Sequence, residues 1–187
     1  MKTTFSIAVL IHWILGTAAA VSAASVSDWQ LQLKVDVGAY NDHPNYFGVS
    51  PSSSDTYDPM DAAEPPAAPA PSVAMFIPHM DWAVYPDFYT RDIRAPLAPA
   101  GAATRAVWDI YVTTRGSALG QKTAVISWAQ LEGVPPDYSI RFEDVTGGGS
   151  GIDLRAAASY EYNTGAPDFR GETTRQLRLT IERSASQ

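Results

Sequence analysis

The segment Trp29–Val37, WQLQLKVDV, alternates apolar and polar residues without a break. Successive side chains of a β-strand point to opposite faces, so this pattern predicts a half-buried strand with its apolar face inward. Further strand patterns follow along the chain, and Gly or Pro residues separate most of them. These predicted strands lie at Val73–Ile77, Val107–Thr113, Thr123–Trp128, Tyr138–Val145, Ile152–Arg155, Ser159–Asn163 and Gln176–Arg183.

Many short strands at close spacing predict an all-β fold, and we expect an immunoglobulin- or fibronectin-III-like β-sandwich. Residues 38–72 are expected to form a long loop rich in Asp, Pro and Ala, because turn-forming residues dominate there. Its end, Ala62–Ser72, favours an extended polyproline II spacer. We expect one domain, in which residues 24–72 supply the strand at 29–37 and the loop, and residues 73–187 supply the sandwich core.

The N-terminus has the pattern of a secretory signal peptide. Lys2 is the only charged residue before Asp28, an apolar run fills Phe5–Leu15, and small residues precede Ala24. The apolar run is shorter than the roughly 20 residues that a spanning helix needs, which favours cleavage over a retained membrane anchor. We therefore expect residues 1–23 to be removed, and the product to lie in the periplasm, at the cell surface or outside the cell, with no remaining membrane span.

Composition excludes several classes of site and partner. The 187 residues include no cysteine, so disulfides, thiolate metal sites and cysteine nucleophiles are excluded. Thirteen Lys and Arg residues stand against twenty Asp and Glu residues, which gives a net charge of −7. This balance argues against binding to nucleic acid or to an anionic membrane surface.

Several short motifs resemble a module of secreted bacterial proteins that is often found near C-terminal sorting domains. They are Asn41–Val49, Tyr57–Asp61, Glu64–Pro66, Pro78–Trp82 and Arg91–Arg94. The resemblance implies export and a fibronectin-III-like sandwich, and it implies no catalytic residues. No sorting domain follows the motifs in this sequence, so the resemblance does not by itself imply attachment to the cell surface.

An acidic repeat in the predicted loop is a candidate metal site. Asp55, Asp58, Asp61 and Glu64 are spaced three residues apart, which places their carboxylates on one face of a three-residue turn. Calcium prefers six to eight oxygen ligands, and Asp42 is a further candidate if the loop folds back on the first strand. Calcium is thus a candidate cofactor, and the alternative is a solvated acidic loop.

An aromatic-rich stretch at residues 79–94 is a candidate saccharide platform. Trp82, Tyr85 and Tyr89 could stack on sugar rings while Asp81 accepts hydrogen bonds from sugar hydroxyls. The alternative is that these rings fill one end of the sandwich core.

Enzymatic chemistry has little support in the sequence. A serine-type triad would need His43 or His79, with Asp81 on the same strand face as His79, but the G-x-S-x-G elbow is missing. A zinc site would need the same two histidines. We therefore expect a non-enzymatic structural or adhesive module of the bacterial envelope or extracellular matrix, which binds other envelope or matrix proteins or polysaccharide; the alternative is a carbohydrate-binding module.

Overall fold

The computed structural model describes residues 28–97 and 105–183. Their eleven strands form one curled sheet of mixed parallel and antiparallel pairs, which confirms the all-β prediction. No helix in these two ranges is long and apolar enough to cross a membrane. The predicted signal peptide lies outside the described residues. The strands are β1 (Trp29–Val37), β2 (Tyr40–Val49), β3 (Ala62–Ala63), β4 (Ser72–His79), β5 (Asp87–Arg94), β6 (Arg105–Arg115), β7 (Thr123–Ala129), β8 (Tyr138–Asp144), β9 (Ile152–Asp153), β10 (Ser159–Asn163) and β11 (Glu172–Arg183).

The sheet has two halves, one from β10 to β5 and the other from β6 to β9. It curls because β4 pairs with a strand of each half. The strand order is β10-β7-β1-β2-β5-β4-β6-β11-β8-β9, and β3 pairs with β5. Ser72–Phe76 of β4 pairs with β6, whereas Ile77–His79 pairs with β5. The β2–β5 pair is parallel and the other pairs are antiparallel. The immunoglobulin- or fibronectin-III-like form of this fold stays a prediction.

The inward faces of both halves meet in one apolar core. Side chains of β1, β4 and β6 alternate between buried and partly exposed along the strand, as period two requires. Trp108 is the largest fully buried side chain, and Phe47 packs against it edge to face at 6.2 Å. Burial of a large apolar side chain stabilises a fold by about 1.5–3 kcal/mol, so this core carries most of the stability.

The loop predicted at residues 38–72 is wrong at Tyr40–Val49 and Ala62–Ala63, which form β2 and β3. The acidic and Pro/Ala-rich parts at residues 50–61 and 64–71 lie outside the strands. Asp42, His43 and Pro44 gave the first half of β2 the composition of a turn, and this half is largely exposed. The second half contains Asn45, which is fully buried and accepts a hydrogen bond from the Thr90 hydroxyl at 3.0 Å. A buried polar side chain with a distant partner breaks the apolar–polar pattern on which the prediction rests.

Side-chain bonds tie together the two ends of the curled sheet. The hydroxyl of Tyr160 in β10 donates to the carboxylate of Asp144 in β8 at 2.6 Å. The indole nitrogen of Trp128 in β7 donates to the carbonyl of Leu154, just after β9, at 3.1 Å. These contacts hold the ends of the sheet over the core without strand pairing.

Candidate functional site

Two adjoining cavities lie over the face of the sheet that points away from the core. They have volumes of about 480 and 470 Å³. Both are lined by Glu64–Ala67, by Ala74 of β4, and by Thr113 and Arg115 of β6. We call Glu64–Ala67 the strap and the two cavities together the outer cleft. The volumes are in the range of small-molecule and oligomer binding sites.

The strap is held over the sheet by its first residue. The backbone N–H of Glu64 donates to the carbonyl of Phe88 in β5 at 2.8 Å, directly after the short β3–β5 pairing. Pro65, Pro66 and Ala67 then run on exposed. Proline fixes φ and lacks an N–H, so this segment stays extended and cannot pair as a further strand. The open space on both sides of the strap follows from that geometry.

Three neighbouring aromatic rings form a row, and two of them, Phe76 and Phe88, form the floor of the cavity on the Phe88 side. Phe76 of β4 lies between Phe88 of β5 and Tyr111 of β6, with ring centroids 4.7 and 6.1 Å away respectively. Phe76 and Phe88 line the cavity, and Phe88 is 42% exposed. Phe76 and Tyr111 each follow or precede a buried residue of their strand, Met75 and Val112. This alternation was the sequence signal that their side chains point away from the core.

Charged groups surround this floor. Burial and the nearby Asp42 carboxylate raise the pKa of Glu64 to about 7. Arg115 pairs with Glu172 of β11 at 3.2 Å. The Nε of Arg91, which lines the other cavity, is buried and has no hydrogen-bond partner in the part of the chain that the structure describes. The cleft therefore offers both hydrogen-bond donors and acceptors beside aromatic rings.

The predicted calcium ligands mostly bind backbone N–H groups of their own loop or of neighbouring strands. Asp58 accepts from Ser54 and Met60, each at 2.7 Å, and Asp42 accepts from Met75 at 2.6 Å. Glu64 lines the cleft, and Asp55 is exposed.

Asp61 is the most buried of these carboxylates. Its two oxygens accept from Asp58 and Ile93, and burial raises its pKa to about 6 despite these bonds. Among residues 28–97 and 105–183, no three His, Asp or Glu side chains converge as metal ligands. The calcium site stays a prediction.

The predicted saccharide platform is corrected at two of its rings. Trp82 is 7% exposed and Tyr89 is 1% exposed, since both pack around His79. Only Tyr85, which is 64% exposed, and Asp81 lie at the surface. Trp82 and Tyr89 fill the end of the core where β4 meets β5, which is the alternative that the sequence left open.

A buried charged network replaces the predicted His79–Asp81 pair. The Nε2 of His79 lies 2.8 Å from the Asp92 carboxylate, whereas Nδ1 lies 3.9 Å from Asp81. Arg94 donates to Asp92 at 3.0 and 3.1 Å. Burial opposes ionisation of Asp92, but the bonds from His79 and the charge of Arg94 outweigh it and lower the pKa of Asp92. The network pairs a buried carboxylate with groups of the same fold, so its role is structural.

The histidines do not combine in the way that a zinc site requires. His43 is exposed and lines the cavity beside Arg91, whereas His79 is buried against Trp82 with the two rings nearly parallel and 3.8 Å apart. His79 is not among the residues that line the outer cleft.

Fold and cleft together define an all-β protein with an open, partly aromatic surface cleft. Comparison with protein-family models, with curated proteins and with solved structures finds no match. The resemblance to secreted bacterial modules stays a prediction.

Proposed function

We propose that this chain is an exported, non-enzymatic module with a structural or adhesive role in the bacterial envelope or extracellular matrix. In this proposal the curled sheet is a fibronectin-III-like sandwich that serves as a rigid scaffold, and the outer cleft is its contact surface. The partners are other envelope or matrix proteins or polysaccharide.

The position of the outer cleft carries the proposal. Its floor consists of outward-facing side chains of β4 and β6, two strands whose inward side chains belong to the core. A site on paired strands is held more rigidly than one on loops, so a partner could bind without ordering the surface first. Rigid, partly aromatic surfaces of this kind are typical of binding modules.

The two most buried carboxylates, Asp92 and Asp144, have structural partners and are not placed for catalysis. Asp92 is engaged by His79 and Arg94, and Asp144 is engaged by Tyr160 and Arg175. A general acid or base must reach the substrate within hydrogen-bond distance. These carboxylates instead join strands of the fold and do not line the cleft. The ionisable carboxyl group that does line both cavities is Glu64, whose pKa is raised to about 7.

Export is supported by the N-terminal sequence, and the charge of the chain limits its partners. The net charge of −7 disfavours polyanionic partners such as nucleic acid. Neutral polysaccharide and proteins with neutral or basic surfaces remain compatible with it.

Substitution in the floor of the cleft tests the proposal. Ala74 lines both cavities, so Ala74→Arg places a long charged side chain between the strap and the sheet. We expect retention of the mature chain on bacterial envelope and extracellular-matrix fractions to fall at least tenfold. Glu161→Arg, at an exposed position of β10, is the matched control and should retain binding after allowance for its charge. Equal retention of all three proteins at equal melting temperature would overturn the proposal.

A further inference from the structure

We propose that the cavity floored by Phe76 and Phe88 binds a neutral polysaccharide. This inference rests on the proposed binding role and names the chemical class of the ligand. It places the saccharide site on the outward face of β4–β6 and away from the buried Trp82 and Tyr89.

The aromatic row supplies a stacking surface. Sugar rings present apolar C–H faces that pack on aromatic rings, and Phe88 has 42% of its surface open to solvent. Phe76 and Tyr111 continue the row across two further strands, and their planes differ by only 9°. The Phe88 ring is tilted by 58° from Phe76, so the two rings that line the cavity present faces at different angles. Tyr111 extends the row beyond the cavity, and a row across three strands suits a chain of sugars better than a single compact ligand.

The polar rim of the cavity matches the hydroxyl groups of a sugar. Asp87 and Glu172 supply carboxylate acceptors, Arg115 supplies donors, and Thr113 and Thr174 can both donate and accept. The two threonine hydroxyls lie 3.3 Å apart on neighbouring strands and face the same cavity. Such a rim fixes the orientation of a polyhydroxylated ligand while the rings carry its apolar faces.

The charges of the cavity exclude anionic polymers. Asp87 and Glu172 line it as carboxylates, against the single guanidinium of Arg115. Glu64 adds a further, partial negative charge at neutral pH, because its pKa is raised to about 7. Uronic-acid or sulfated polysaccharides would meet repulsion there. A basic peptide would be attracted by the same charges, but Glu172 is already paired with Arg115 and the strap limits contact with a bulky peptide backbone. The aromatic row and the hydroxyl groups favour a neutral sugar chain.

Affinity electrophoresis of the mature chain tests this assignment. The probes are mixed-linkage β-glucan, xyloglucan and galactomannan, with alginate as the anionic comparison. We expect retardation by at least one neutral polymer and none by alginate. Phe88→Ala should weaken that binding about threefold to tenfold, which corresponds to the loss of one stacked ring. Tyr85→Ala removes an exposed ring that does not line the cleft and should leave binding unchanged.

A second variant keeps the test independent of aromatic packing. Thr174 is exposed on the rim, so Thr174→Arg blocks the cavity without changing the core, and it should abolish retardation at an unchanged melting temperature. Polysaccharide binding that survives both Phe88→Ala and Thr174→Arg would overturn the assigned site. Absence of polysaccharide binding together with Ala74-dependent retention on envelope proteins would overturn the ligand class and leave the binding module intact. Absence of both would overturn both proposals.

Discussion

The imidazole Nε2 of His79 and the carboxylate Oδ2 of Asp92 lie 2.8 Å apart, at the point where β4 leaves β6 and joins β5. Arg94 extends this contact, because its guanidinium carbon also lies 4.8 Å from the ring centroid of Trp108 in β6. One buried carboxylate therefore links the strands on both sides of the bend in the sheet.

Removal of this carboxylate should destabilise the fold in a pH-dependent way. The pKa of Asp92 is lowered in the folded state, so its ionised form stabilises the protein above the unfolded pKa of about 4. That contribution is lost as the pH falls through the folded-state pKa. We expect Asp92→Asn to lower the free energy of unfolding by about 3–5 kcal/mol at pH 7, and by less at pH 3, where the ionic contribution has begun to be lost.

Urea unfolding at pH 7, 5 and 3 measures this difference. Asp81→Asn, at an exposed carboxylate beside the same histidine, is the control and should change stability by less than about 0.5 kcal/mol. An effect of Asp92→Asn that is equal at pH 7 and pH 3 would contradict the ionic role of the network.

The contribution of Glu64 to stability should change with pH in the opposite direction to that of Asp92. Its pKa is raised from 4.5 to about 7 by burial and by Asp42, so the folded state holds the proton more tightly than the unfolded chain. Stability of the native protein should therefore fall as the pH rises from 4.5 to 7. Glu64→Gln removes this loss: its melting temperature should match that of the native protein near pH 4.5 and exceed it at pH 8. Glu132→Gln, at an exposed position, should show no such divergence; divergence in both variants would attribute the effect to net charge.

The hydrogen bond between Tyr160 and Asp144 should contribute more to the free energy of unfolding than the partial exposure of Tyr160 suggests. Asp144 is 4% exposed and also accepts from Arg175, and these bonds outweigh burial so that its pKa is lowered. Tyr160→Phe removes a hydrogen bond to a charged acceptor, and we expect a loss of about 1.5–3 kcal/mol in unfolding free energy. Tyr162→Phe on the same strand is the matched variant, because no protein hydrogen bond of that hydroxyl is present in the described residues. Both variants keep their rings, so equally small losses would show that ring packing, and not the bond to Asp144, holds the ends of the sheet.

Gly48 should not tolerate a side chain. It lies buried in β2 opposite Gln30, and a Cβ atom there would overlap the carbonyl oxygen of Trp29 and lie 3.1 Å from the Cα of Gln30. We expect Gly48→Ala to cost about 1–3 kcal/mol through overpacking of the β1–β2 pair. Gly133→Ala has open space around the new methyl group and should change stability little. Thermal unfolding of both variants decides whether close approach of the two strands is required.

The sequence predicted most of the strands in which apolar and polar residues alternate, even where one buried residue is polar, as Asp144 is in β8. The bounds predicted for β1 and β10 agree with the structure, because buried and exposed positions alternate along β1 and turn residues bound β10. It missed β2 and β5, in which burial does not alternate regularly and a buried polar residue, Asn45 or Asp92, lies within the strand. Their hydrogen-bond partners, Thr90 for the Asn45 oxygen and His79 for Asp92, lie 45 and 13 residues away, and local periodicity cannot show them.

The outer cleft was not predicted from the sequence. The candidate saccharide platform comprised Trp82, Tyr85, Tyr89 and Asp81, yet Trp82 and Tyr89 are buried, whereas Phe88, which was not in that set, points outward. The cleft exists because Glu64 bonds to Phe88 and brings the strap over β4 and β6, a contact between residues 24 positions apart. The regular spacing of the acidic repeat does not show that its residues have separate roles, because these roles depend on the path of the chain in the fold.

Hydrogen–deuterium exchange of the mature chain bound to a bacterial extracellular-matrix fraction tests the central claim most directly. If the outer cleft is the contact surface, binding should slow exchange at the backbone amides of Glu64 and Ala67 in the strap and in the parts of β4 and β6 that face it. The Ala74→Arg variant should show no such change. Protection confined to β8 and β9, at the far edge of the sheet, would contradict the claim.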